Sequence, residues 1–103
     1  MPEQTSFVSS ILDTSTVVAA KHPRMSEVDE EMVIVDLEIQ EFYGLNLVGA
    51  SIWKLIQQPQ LVSDIQQKIA AEYKIELEQC RQDVLAFLND LAAANLIEVQ
   101  NSG

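Results

Sequence analysis

The side chains of this 103-residue chain that could make or break bonds are few, and their spacing suits none of the common chemistries. His22 stands beside Pro23 in a polar connection. A zinc site needs three or four ligands, and a single histidine with one distant cysteine cannot supply them. His22 therefore reads as a surface residue. Cys80 falls on the same helical stripe as Val84, which marks a buried thiol and not a nucleophile. The adjacent Glu30 and Glu31 sit in a highly charged, solvated turn, where no burial would raise a carboxyl pKa for acid–base work. The three glycines are Gly44, Gly49 and Gly103, which leaves no glycine-rich phosphate loop. The expectation is a protein that is not an enzyme, with no catalytic residues, no metal and no cofactor.

Binding chemistry is easier to find. Phe42-Tyr43-Gly44-Leu45-Asn46 puts aromatic residues at strand spacing and ends on an Asn, and Gly49, Ile52 and Trp53 follow at helical spacing. Asn is a good N-cap because its side-chain oxygen accepts from a free first-turn N–H. A strand that feeds a helix with almost no loop must lie against that helix. It is a candidate sheet edge, where an extended peptide could add as a further strand. Phe42 and Tyr43 point to opposite faces, and periodicity leaves open which of them meets a partner.

The elements that would position this edge follow from hydrophobic period. Strand-like runs occupy Thr16 to Ala20, Met25 to Val28, Met32 to Leu37 and Glu41 to Leu45, with Pro23 separating the first two. The Met32 run is rich in β-branched residues, as suits a strand buried on both faces. Glu38-Ile39-Gln40 would form the turn before the last strand. A first helix uses Leu45, Val48, Ile52, Leu55 and Ile56, and Pro59 closes it. Ser63-Asp64-Ile65-Gln66 has the form of a capping box and opens a second helix through Tyr73. A third starts near Glu78 with the stripe Cys80, Val84, Phe87, Leu88 and Leu91. Asn95 suits the left-handed residue that ends it, and Leu96 to Val99 would form a closing strand. The class is α+β.

The formal charge of −10 limits the partners. Glu27, Asp29, Glu30, Glu31, Asp36, Glu38 and Glu41 crowd one region. Nucleic-acid binding draws its affinity from neutralised phosphates, so DNA and RNA are disfavoured, as are anionic membranes. The winged-helix DNA-binding reading of the same outline fails on charge, because the second helix offers only Lys68 and the third only Arg81. The single cysteine, the lack of a long apolar run and the absence of a signal pattern lead to an expected cytoplasmic location.

Taken jointly, Tyr43-x-Leu45-Asn46-x-x-Gly49-x-x-Ile52-Trp53, Ile65, Tyr73, Asp83-Val84-x-x-Phe87-Leu88-x-x-Leu91 and Leu96-Ile97 resemble the PqqD-like family. These are recognition elements for the precursors of ribosomally made, modified peptides. The resemblance covers about residues 16 to 99. It implies a three-stranded antiparallel sheet packed on three helices, like a winged helix-turn-helix. It also implies that the domain binds the leader segment of a precursor by strand addition and presents it to a processing enzyme. Free-standing members serve in lasso-peptide pathways beside a separate leader peptidase, or in pyrroloquinoline quinone biosynthesis beside a radical enzyme. The long acidic β-region looks more like the lasso type. Carried onto this chain, the peptide would meet Glu41, Phe42, Tyr43, Gly44 and Leu45 on the edge strand. Arg81, Val84, Leu85, Leu88 and Ala92 would face it from the third helix, and Asp83 and Asp90 could pair with basic leader residues. The resulting layout is a flexible tail over 1–14, the recognition domain over 15–100 and a disordered end at 101–103. A scaffold that dimerises through the same edge strand stays open as an alternative.

Overall fold

A computed structural model describes residues 11–28, 31–37 and 41–101. Six strands and three helices run in the order β1 (Thr16–Ala19), β2 (Arg24–Val28), β3 (Glu31–Asp36), β4 (Glu41–Leu45), α1 (Leu47–Leu55), β5 (Gln60–Leu61), α2 (Val62–Tyr73), α3 (Leu77–Ala93) and β6 (Ile97–Gln100). The α+β class expected from the sequence is the one observed. The strands, however, form two three-stranded antiparallel sheets rather than one, ordered β5-β1-β6 and β2-β3-β4. The break around Pro23 explains the division. β1 leaves its neighbours in sequence and pairs with the closing strand, Thr16 opposite Gln100 and Ala19 opposite Ile97. The second sheet is a meander in which Ile34 faces both Met25 and Tyr43.

The core lies between the helices and the inner faces of the two sheets. Val17, Ile34, Ile52, Trp53, Ile56, Ile65, Ile69, Val84, Leu88 and Leu91 are all buried there. β3 is central but not covered on both faces as expected. Ile34 is buried, whereas Val33 and Val35 on the alternate face are half-buried. Part of the stretch expected as a tail is anchored on the domain: Ile11 is buried in the core, Ser15 is fully buried, and the Ser63 amide donates to the Asp13 carbonyl at 3.0 Å. Positions 1–10, the expected 38–40 turn, Asp29, Glu30 and the last two residues lie outside the described residues.

Local signals decide the helix ends. Asn46 caps α1 as expected: its Oδ1 accepts from the Gly49 amide at 2.7 Å. The capping box on α2 does not form. The helix starts two residues earlier than the box implies, at Val62, with no side-chain cap. Gln66, which would have closed the box, points inward and donates through Nε2 to Asp13 Oδ1 at 3.0 Å. At the end of α3, Asn95 adopts φ 61°, the Asn95 amide donates to the Ala92 carbonyl and the Leu96 amide to Leu91. These two returning bonds are the Schellman arrangement. They turn the chain sharply into β6.

Candidate functional site

The β2-β3-β4 sheet has two edges, and their chemistry differs. β2 carries Arg24 and Glu27, both exposed, the kind of charged rim that discourages strand pairing. A hollow of about 420 Å³ lies beside it, lined by His22, Arg24 and Leu37 among others, but it is a shallow depression at a charged margin. β4 carries Phe42, Tyr43, Gly44 and Leu45. Among the described residues no strand pairs with its outer edge.

Packing places Phe42 and Tyr43 on opposite faces of β4. Phe42 is 71% exposed and points away from the core. Tyr43 turns inward and meets the Phe87 ring edge-on, with centroids 6.4 Å apart and planes at 63°. Burial first, and then the charge and hydrogen bond of Asp90, push the Tyr43 phenol above its ordinary value of 10.0. The phenol O–H and the Asp90 carboxylate thus face each other across the gap between β4 and α3.

The flank of α3 that looks towards β4 therefore carries Phe87 and Asp90, with Ala94 at its C-cap, and Asp83 continues the same stripe towards α1. Two hollows open along it. One, of about 350 Å³, is bounded by Phe42, Tyr43, Ala93, Ala94 and Leu96. The other, of about 200 Å³, lies between α1, α2 and α3, bounded by Val48, Gly49, Ile69, Ile75, Asp83 and Phe87. The Tyr43–Phe87 pair stands between them. Gly49 belongs to this wall for a steric reason: a Cβ there would lie 3.2 Å from Phe87 Cζ and 3.3 Å from Leu45 Cδ2. Gly44 has no such reason, since a Cβ at that position meets nothing within 4 Å. It leaves the middle of the edge strand open to close approach by another backbone.

The helix residues named from the sequence fall mostly elsewhere. Arg81, Leu85, Leu88 and Ala92 follow the opposite flank of the core stripe. Arg81 is ion-paired with Asp13 and with Glu78, and its carbonyl accepts from Gln66 Nε2. Leu88 is fully buried and Val84 1% exposed, so both are core residues, Val84 reaching only the back of the smaller hollow. Leu85 and Ala92 are half-buried and pack against the same core. The sequence showed the stripe but not which of its two borders faced the sheet. The signal that could have found Phe87 and Asp90 was their helical spacing from Asp83. Glu41 sits at the start of β4, with no side-chain placement described.

Asp13 and Cys80 complete the electrostatics of the helix layer. Hydrogen bonds from Gln66 and then Arg81 hold the Asp13 carboxyl below its ordinary 3.8. Burial, with a smaller contribution from Asp83, raises the Cys80 thiol, which donates to the Gln66 carbonyl at 3.4 Å. The thiol behaves as a buried structural group. Among the described residues no group of three or more His, Cys, Asp or Glu could hold a metal ion, and no helix is long and apolar enough to cross a membrane.

Among the described residues β4 is thus an unpaired edge strand beside α3, with a hollow between them. Residues 31–97 match the family described as Coenzyme PQQ synthesis protein D (PqqD), and the chain belongs to that family. Two solved structures resemble it. One is TbiB1 in complex with the TbiA(beta) leader peptide, at 28% identity and a TM-score of 0.69, over 79% of this chain and 94% of that one. The other is the PqqD truncation of Methylobacterium extorquens PqqCD, described as a stand-alone recognition element for ribosomally synthesised and post-translationally modified peptides. It is 18% identical with a TM-score of 0.74, over 88% of this chain and 97% of that one, a likeness of fold. No curated protein matches.

Proposed function

We propose that this domain is a non-catalytic recognition element that binds the leader segment of a ribosomally made precursor peptide as an added strand on β4. The observation that carries the proposal is the open β4 edge facing Phe87, Asp90 and Ala94 of α3. Backbone groups of β4 supply hydrogen bonds that do not depend on the peptide's sequence, and the hollow beside Tyr43 takes a side chain that points to α3. Membership of the PqqD family and the likeness to TbiB1, solved with a leader peptide, support the reading. The bound precursor is then presented to a separate processing enzyme. The acidic β-region favours the lasso-pathway type, with a leader peptidase as partner, over the pyrroloquinoline quinone type with a radical enzyme.

A fluorescently labelled leader from the precursor encoded beside this gene should bind saturably at roughly micromolar Kd or tighter, about −8 kcal/mol. Absence of saturable binding to that leader overturns the proposal. A second reading draws on the exposed Phe42 beside the same edge: a dimer formed by pairing β4 with its own copy. Light scattering across a concentration series separates the two. A stable dimer that leader peptide does not dissociate favours the scaffold.

A further inference from the structure

The α3 wall of the groove carries a carboxylate, Asp90, with no ion pair among the described residues. Asp83 lies two turns earlier on the same helix, beside α1. α3 contains one cation, Arg81, which is ion-paired with Asp13 and Glu78 on the other flank, and β4 contains none. Asp83 takes the Gln79 amide on one oxygen at 3.0 Å, and Asp90 faces the Tyr43 hydroxyl. A carboxylate has about four acceptor positions, so each keeps capacity for a further donor. The hollow one turn beyond Asp90 is lined mainly by apolar groups, Ile34, Ala93, Ala94 and Leu96 beside the Tyr43 ring, with Asn95 at its border.

We infer that the segment accepted at β4 carries a lysine or arginine held by Asp90, and an apolar residue seated in the Ala93–Ala94 hollow. This rests on the strand-addition reading of the same groove. Side chains of an extended peptide alternate between faces, so two residues that both reach α3 must be separated by an even number of positions. The cation and the apolar anchor are therefore spaced i and i+2, or i and i+4. On the intervening positions the peptide's side chains point to the outer face, beside Phe42 and over the open space at Gly44. The acidic groove both attracts such a segment and rejects an acidic one.

The test is selection of binders from a library of random dodecapeptides against the full chain, with β4 amide exchange used to keep those that protect residues 41–45. The inference expects Lys or Arg at one enriched position and an apolar residue two or four away. It also expects about tenfold weaker binding to Asp90→Asn, as befits a hydrogen bond to a charged group. Asp90→Lys should reverse the preference and enrich Asp or Glu at that position. Edge-protecting peptides that lack a cation, or that bind Asp90→Asn as tightly as the parent, overturn the inference and leave strand addition standing. A selection that returns no peptide protecting β4 overturns the strand-addition reading and this inference with it.

Discussion

The two flanks of α3 are built from one helix and behave in opposite ways. On one side Arg81 is locked by Asp13 and Glu78, and Gln66 reaches in from α2 to bind Asp13 and the Arg81 carbonyl. That side is closed by residues of the chain itself. On the other side Phe87 meets Tyr43 of β4 edge-on, and hollows open on either side of the contact. The buried stripe between them, Cys80, Val84, Leu88 and Leu91, holds the helix in place for both. A helix needs only one apolar stripe to be anchored, and its two borders are then free to take different roles. Here one border finishes the fold and the other is left for a partner.

The largest effect should come from the stripe itself. Leu88→Ala removes a fully buried side chain and should cost about 2–5 kcal/mol in chemical denaturation, whatever ligand is present. If Leu88→Ala instead left stability unchanged and weakened leader binding, the division between core and groove would be wrong. Next comes the open flank. Ala93 is exposed at the end of α3, and Ala93→Trp should fill the larger hollow, weakening leader binding about tenfold in an anisotropy titration. Stability should move by no more than about 0.5 kcal/mol, as for other surface substitutions.

The closed flank predicts a pH effect with a definite sign. Because the folded Asp13 carboxyl titrates below its ordinary 3.8, its contribution is present above that value and is lost as pH falls through the folded pKa. Asp13→Asn should therefore lower stability slightly at neutral pH and flatten its decline in acid, with leader affinity unchanged. A loss of affinity in this variant would mean that the two flanks are coupled. The smallest effects distinguish the helix starts. Asn46→Ala should cost about 1 kcal/mol, since it removes the cap on Gly49. Ser63→Ala should fall within about 0.5 kcal/mol, because Ser63 caps nothing.

Much of this layout was legible in the residues. The β4–α1 junction, the Asn46 cap, the left-handed Asn95 and the core stripe of α3 all rest on local rules of period and capping, and each is observed, except that Phe87, expected in the stripe, is half-buried on its border. What failed depends on contacts distant in sequence. The split into two sheets follows from β1 pairing with β6 some 80 residues away. Gln66 abandoned its cap because Asp13, on a segment expected to be loose, offered a better partner inside. The choice of α3 flank needed the rotation of the helix about its own axis. Spacing gives the stripe, but only the packing of Phe87 on Tyr43 fixes which border meets the sheet.

The most direct measurement is a residue-by-residue NMR comparison of the domain alone and saturated with its leader peptide. Strand addition predicts slowed amide exchange within residues 41–45 and shifts at Asp83, Phe87, Asp90 and Ala94, with Arg81, Leu85 and Ala92 unmoved. Protection on β2, or shifts confined to the Arg81 flank, would contradict it.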